Sequence, residues 1–243
     1  MGASFGWGLL AASSLVIGAL VAIWLKISLR AIGLIMGFGA GVLISAVAFD
    51  LVEEASDMSA GQGTTAWGLL LGCAVFFGGN LLISRLGGGD RKKPTGEQQD
   101  GSALAIVLGS VLDGIPESMV IGVTIFAGGE VGAAYLAAVF ISNLPEAISS
   151  TTGLVSGGWK RSRILLMWIA IAVISGLASL AGYGLFQESS PATIAFVLAF
   201  AAGAILTMLA DTMMPEAFEN GGKTVGIVTT LGFAAAYAIH SLG

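Results

Sequence analysis

Two apolar stretches, roughly 103–126 and 132–156, each carry a carboxylic acid directly after a proline near the middle. The first reads Val111-Leu112-Asp113-Gly114-Ile115-Pro116-Glu117-Ser118, and the second Ile141-Ser142-Asn143-Leu144-Pro145-Glu146-Ala147. Each is long enough to cross a bilayer, which takes about 20 mostly apolar residues. Backbone at that depth must satisfy its own polar groups, so such stretches are helical. A carboxyl in mid-membrane is costly and normally marks a ligand or ion pathway. The remaining sequence must supply a scaffold that tolerates these acids.

That scaffold reads as further membrane helices. Of the 243 residues, 56% are hydrophobic and 10% charged, against about a quarter charged in a soluble domain. Eight spans are predicted, roughly 6–25, 31–52, 66–84, 103–126, 132–156, 164–186, 192–214 and 224–241. The fold class is therefore all-α, a polytopic membrane protein forming one transmembrane domain over 1–243. Gly33, Gly37 and Gly41 form a small-residue stripe, which lets a neighbouring backbone approach. The lone Cys73 has no internal disulfide partner and reads as a small buried residue. The first apolar run begins almost at Met1 without a basic flank, so no cleavable leader is expected. A net charge of −5 speaks against a nucleic-acid partner.

Orientation follows from the cations. All 10 Lys and Arg residues lie in or beside odd-numbered loops, from Lys26 and Arg30 to Lys160, Arg161, Arg163 and Lys223. The even loops carry Glu53, Glu54, Asp57, Glu130 and Glu188 and no base. The positive-inside rule puts the odd loops in the cytoplasm and both termini outside. The loop at 87–102 is the one long hydrophilic connection, with the composition of a mobile cytoplasmic segment.

On a helix, Asp113 and Glu117 share a face, as do Ser142, Asn143 and Glu146. Pro116 and Pro145 each deprive a preceding carbonyl of its helical donor. Reflection about the turn near Glu130 brings Asp113 level with Glu146, and Glu117 level with Ser142. The five side chains make an all-oxygen, anionic set suited to a divalent cation. A proline kink beside a protonated carboxyl, or a proton relay, would also account for such acids. Asp50, Glu53 and Glu54 at the outer end of the second span would collect cations at an entrance, and a solvated helix end explains them equally well. Asp211, one turn before Pro215, would line an exit or act as a cytoplasmic cap. The lone His240 reads as an interfacial residue. An intramembrane protease would need a second aspartate at the depth of Asp113, or a histidine base, so no enzyme is expected. There is no phosphate-binding G-x-x-x-x-G-K-[ST] motif.

At these residues the chain resembles the ZIP (Zrt/Irt-like protein) family of divalent metal transporters. That family carries His-Asn-x-Pro-Glu-Gly on its fourth span and His-x-x-Pro-Glu-Gly on its fifth. Here Asp113-Gly114-Ile115-Pro116-Glu117-Ser118 and Ser142-Asn143-Leu144-Pro145-Glu146-Ala147 take those places. Asp50-Leu51-Val52-Glu53-Glu54 and Met214-Pro215-Glu216-Ala217 also resemble family segments. The resemblance implies an eight-span bundle with both termini outside, in a cell (inner) membrane. It implies metal movement from outside to cytoplasm, and spans 1, 4, 5 and 6 moving against 2, 3, 7 and 8. It carries ligand roles over to Glu117 and Glu146 by identity, and to Asp113, Ser142 and Asn143 by position. The cargo is a divalent metal: zinc, manganese, iron or magnesium. A degenerate member that binds metal or protons with little transport is the alternative, and the oligomeric state, a homodimer included, stays open. Both motif histidines are replaced, by Asp113 and Ser142. Zinc favours nitrogen and sulfur, so the oxygen set should tilt relative preference toward harder dications.

Overall fold

The computed structural model describes residues 2–59, 63–89, 91–95, 103–128 and 133–242, without the side chains of 103–105, 126–128, 133–134 and 242. The turn expected around Glu130 and the stretch 96–102 of the predicted loop lie outside these residues. The described residues are mostly helical, with no strand among them. The helices are α1 (Gly2–Trp24), α2 (Leu29–Ala46), α3 (Glu54–Ser59), α4 (Thr64–Ile83), α5 (Ala103–Gly128), α6 (Ala133–Ser156), α7 (Arg161–Phe186), α8 (Pro191–Met208), α9 (Met214–Gly221) and α10 (Val225–Leu242).

Local chemistry sets several boundaries. Ser28 caps α2 by accepting from the Ala31 N–H at 3.2 Å, and Ser190 caps α8 with Pro191 at its first position. Gly222, at φ 67°, turns the chain from α9 toward α10. Among the described residues, three π-helical turns were not foreseen. Val47–Glu53 joins α2 to α3, Ser84–Gly88 ends α4, and Leu209–Met213 joins α8 to α9. The first carries Asp50 and Glu53 and the last carries Asp211. Such turns rotate the downstream face and recur at functional sites.

Six helical stretches among the described residues are long and apolar enough to cross a membrane. They are Gly2–Trp24, Leu29–Ser59, Thr64–Gly88, Ile106–Ile125, Arg161–Phe186 and Pro191–Ser241. The last runs from α8 through α10. α6 is 24 residues long but falls outside this set. Its middle is polar, with Ser142, Asn143, Glu146, Ser149, Ser150, Thr151 and Thr152.

The helices pack as two groups. α1 lies against α6 and α7, and α5 lies against α7. In the other group α4 lies against α8, and α2 against α9 and α10. α2 meets α6, and α5 meets α8, across the boundary. The outward faces are apolar: Trp67 and Leu185 are each 70% exposed and Leu166 68%, as contact with lipid tails would permit. Cys73 is on such an exposed face, not buried as expected.

Close backbone approach holds the pairs together. A Cβ at Gly41 would fall on the Thr229 carbonyl oxygen of α10, and one at Gly72 on the Phe200 carbonyl oxygen of α8. Gly33 faces Gly221, and Gly37 faces Val225. The stripe on α2 is therefore the seam with α9 and α10. Gly41→Leu should destabilise the protein by at least about 1–3 kcal/mol through overpacking. Gly226→Ala, where a Cβ meets nothing within 4 Å, should be neutral or mildly stabilising. Thermal unfolding in detergent separates them, and equal midpoints would discount the seam.

Candidate metal-binding site

Pro116 and Pro145 sit inside α5 and α6 without ending either helix. The residues around them are buried: Asp113 is 4% exposed, Glu117 2%, Ser142 2%, Asn143 8% and Glu146 5%. Asp113 and Glu146 lie near one another. They meet through a third side chain, the Lys92 ammonium, which lies 2.9 Å from Asp113 Oδ2 and 3.2 Å from Glu146 Oε1. Glu117 neighbours both carboxylates and hydrogen-bonds with the Asn143 side chain. The Tyr135 hydroxyl donates to the Glu117 carbonyl at 3.4 Å. Ser142 Oγ donates to Val139 O at 3.0 Å, which leaves its lone pairs for an acceptor role. From the far side of α6, Trp168 Nε1 donates to Thr151 Oγ1 at 2.8 Å and fixes the polar stretch against α7.

Lys92 and Arg91 were expected on a solvated loop, and both are instead 2% exposed. Arg91 Nη2 lies 3.5 Å from Asp113 Oδ1, and its Nη1 donates to Asn80 Oδ1 at 2.9 Å. Lys92 Nζ also donates to Thr212 Oγ1 at 3.4 Å, whose hydroxyl in turn donates to Met208 O at 2.8 Å. Ser149 Oγ donates to the Lys92 carbonyl. The physical reason for this burial is plain. Three carboxylates in an apolar interior need counter-charge, and lysine is almost never fully buried unless paired.

Glu216, 8% exposed on α9, belongs to the same neighbourhood as Lys92 and Glu146. Its Oε2 has no hydrogen-bond partner among the described residues. The sequence did hold a signal for it. Three of the five prolines are followed by glutamate, at Glu117, Glu146 and Glu216. No such signal marked Lys92.

The other expected residues separate from this cluster. Asp50 Oδ1 and His240 Nδ1 lie at hydrogen-bond distance, 2.7 Å, and the imidazole lies against Phe49. Glu54 is close enough to feel the Asp50 charge, while Glu53 is exposed. Asp211 is exposed, and its neighbour Thr212 is the residue that reaches the cluster. Among the described residues, no three His, Cys, Asp or Glu side chains converge closely enough to hold a metal ion as they stand. The acids of α5 and α6 are spaced around the Lys92 ammonium.

The geometry is that of a membrane-type helical bundle with buried carboxylates at its centre. No protein-family model matches the chain. Among curated proteins it is 28% identical to zinc transporter ZIPB of Bordetella bronchiseptica over 240 residues, 92% of this chain and 74% of that one. It is 28% identical to zinc transporter GufA of Myxococcus xanthus, covering 91% of each chain. It is also 24% identical over 231 residues to an Arabidopsis thaliana protein provisionally named a zinc transporter. This chain spans about a third of that plant protein's length, 36%. These matches, which run along nearly the whole chain, support a relationship with the ZIP family.

Proposed function

We propose that this chain is a ZIP-like carrier of divalent metal ions, drawing metal from outside to cytoplasm past the carboxylates of α5 and α6. The observation that carries the reading is the burial of Asp113, Glu117 and Glu146 together inside an otherwise apolar bundle. Such acids are too costly to keep without a cation to serve. Asn143 and Ser142 add neutral oxygens, and the free Oε2 of Glu216 offers a further acceptor toward the cytoplasmic end. Zinc is the first cargo to test, because the relatives above carry it in their names. Manganese, iron(II) and magnesium follow from the oxygen donor set.

The proposal includes eight spans, both termini outside and residence in the cell (inner) membrane as a single domain, a homodimer among its possible assemblies. Asp50 and Glu54 would gather cations at the outer mouth. The group α1, α5, α6 and α7 would move against α2, α4, α8 and α10 as metal crosses. The chain is not proposed to be an enzyme. A second reading, a binder of metal or protons with little transport, draws on the ion pairs that fill the site with Lys92. Uptake into sealed proteoliposomes separates the two. Carrier function gives saturable zinc accumulation that unlabelled divalent metals inhibit. Stoichiometric binding without accumulation supports the binder.

A further inference from the structure

Of the three cations in the segment 91–95, the two buried ones match the cargo in charge. Arg91 and Lys92 bring two positive charges into contact with Asp113 and Glu146. A divalent metal brings the same total. We propose that Lys92, with Arg91 beside it, is the tethered counter-cation of the metal-free site. Metal and the Lys92 ammonium compete for the same oxygens, so metal binding expels the segment and metal release readmits it. This inference rests on the metal-site reading of α5 and α6.

Four features argue for a built docking place. Lys92 fills the position between the two carboxylates that a metal would need, at 2.9 and 3.2 Å. A cation there and a dication cannot share those oxygens, since like charges at contact repel strongly. The segment's backbone is held too, by Ser149 Oγ on the Lys92 carbonyl, and Pro94 is buried. α5 is also notched to admit the segment, because a Cβ at Gly109 would fall on the Arg91 side chain.

The anchors belong to both helix groups. Asp113, Glu146 and Ser149 lie on α5 and α6. Asn80 lies on α4, and Thr212 in the π turn that continues α8. The docked segment therefore ties the two groups together across the site, and its departure unties them. Exchange of the two side-chain cations for one dication keeps the buried charge constant. A monovalent ion cannot do this, so the device also discriminates against sodium and potassium.

The test places a nitroxide at Thr95, which is exposed, as Thr95→Cys in a Cys73→Ser background. Zinc and manganese chloride are the probes, with potassium chloride as control, on the full chain in detergent. Adding either dication should mobilise the label, and potassium should not. Lys92→Met, which keeps the packing of the stem, should bind zinc at least ten-fold more tightly by calorimetry and show a mobile label without metal. Lys92→Arg should restore the docked label. Asp113→Asn with Glu146→Gln should free the label without metal, which reads the anchor independently of metal binding. If Lys92→Met binds zinc with unchanged or weaker affinity and keeps the label fixed, Lys92 is a permanent structural cation and the competition is overturned. If neither the unaltered chain nor Lys92→Met binds any dication, the metal-site reading fails first and the competition falls with it.

Discussion

Glu146→Ala is expected to abolish metal uptake and to weaken zinc binding at least about 100-fold. Losing a group that merely supports a ligand costs roughly 10–100-fold, and Glu146 is proposed as a ligand itself. Glu117→Ala should match it in transport and differ in stability. Glu146 is ion-paired with Lys92 at 3.2 Å, and breaking a buried pair costs about 3–5 kcal/mol when the remaining ion has nowhere to go. Here Lys92 keeps Asp113, and the 91–95 segment can withdraw toward water, so the loss should be smaller. Glu117 is crowded by the like charges of Glu146 and Asp113. Removing it relieves repulsion and a costly burial, so the fold should hold or gain stability. Uptake and thermal unfolding of both variants check this. Normal uptake in both, at normal membrane abundance, would sink the site.

Asp113→His combined with Ser142→His should raise the zinc-to-manganese affinity ratio about ten-fold or more. Two imidazoles would replace a carboxylate and a hydroxyl, and nitrogen donors favour zinc while oxygen suits manganese. The ratio is the right readout because Asp113 also anchors Arg91 and Lys92. A histidine there loosens the segment and raises the affinity for both metals together. Only the ratio isolates donor chemistry. Binding should also become sensitive to pH near the histidine value of about 6.5, being lost as pH falls and the imidazoles protonate. Calorimetric titration of both proteins with both metals measures this. An unchanged or falling ratio would mean that Asp113 and Ser142 do not face the metal.

The sequence made much of this legible because membrane helices write their own boundaries. Pro116-Glu117 and Pro145-Glu146 stood out as acids in apolar runs, and reflection about their turn set Asp113 beside Glu146, the two acids that share Lys92. The Gly33, Gly37 and Gly41 stripe marked a seam that the structure places against α9 and α10. The failures share a cause: local composition does not report what a tertiary cavity demands. Arg91 and Lys92 sit in a hydrophilic stretch, and nothing local says that three carboxylates elsewhere need their charge. The rule that sorted the cations by loop missed that two of them turn inward. The pairing of His240 with Asp50 was not legible, because the two are 190 residues apart. The π turns near Asp50 and Asp211 follow from packing between helices, which no periodicity shows.

Absorption fine structure at the zinc edge of the metal-loaded protein tests the central claim most directly. The chain has one histidine and one cysteine, His240 and Cys73, and neither contacts the Asp113, Glu117 and Glu146 cluster. Metal held by α5 and α6 must therefore show an oxygen shell at about 2.0–2.2 Å, with no imidazole outer-shell scattering, and Glu146→Ala must disrupt it. A shell containing sulfur, or the multiple scattering of an imidazole, would place the metal elsewhere and contradict the account.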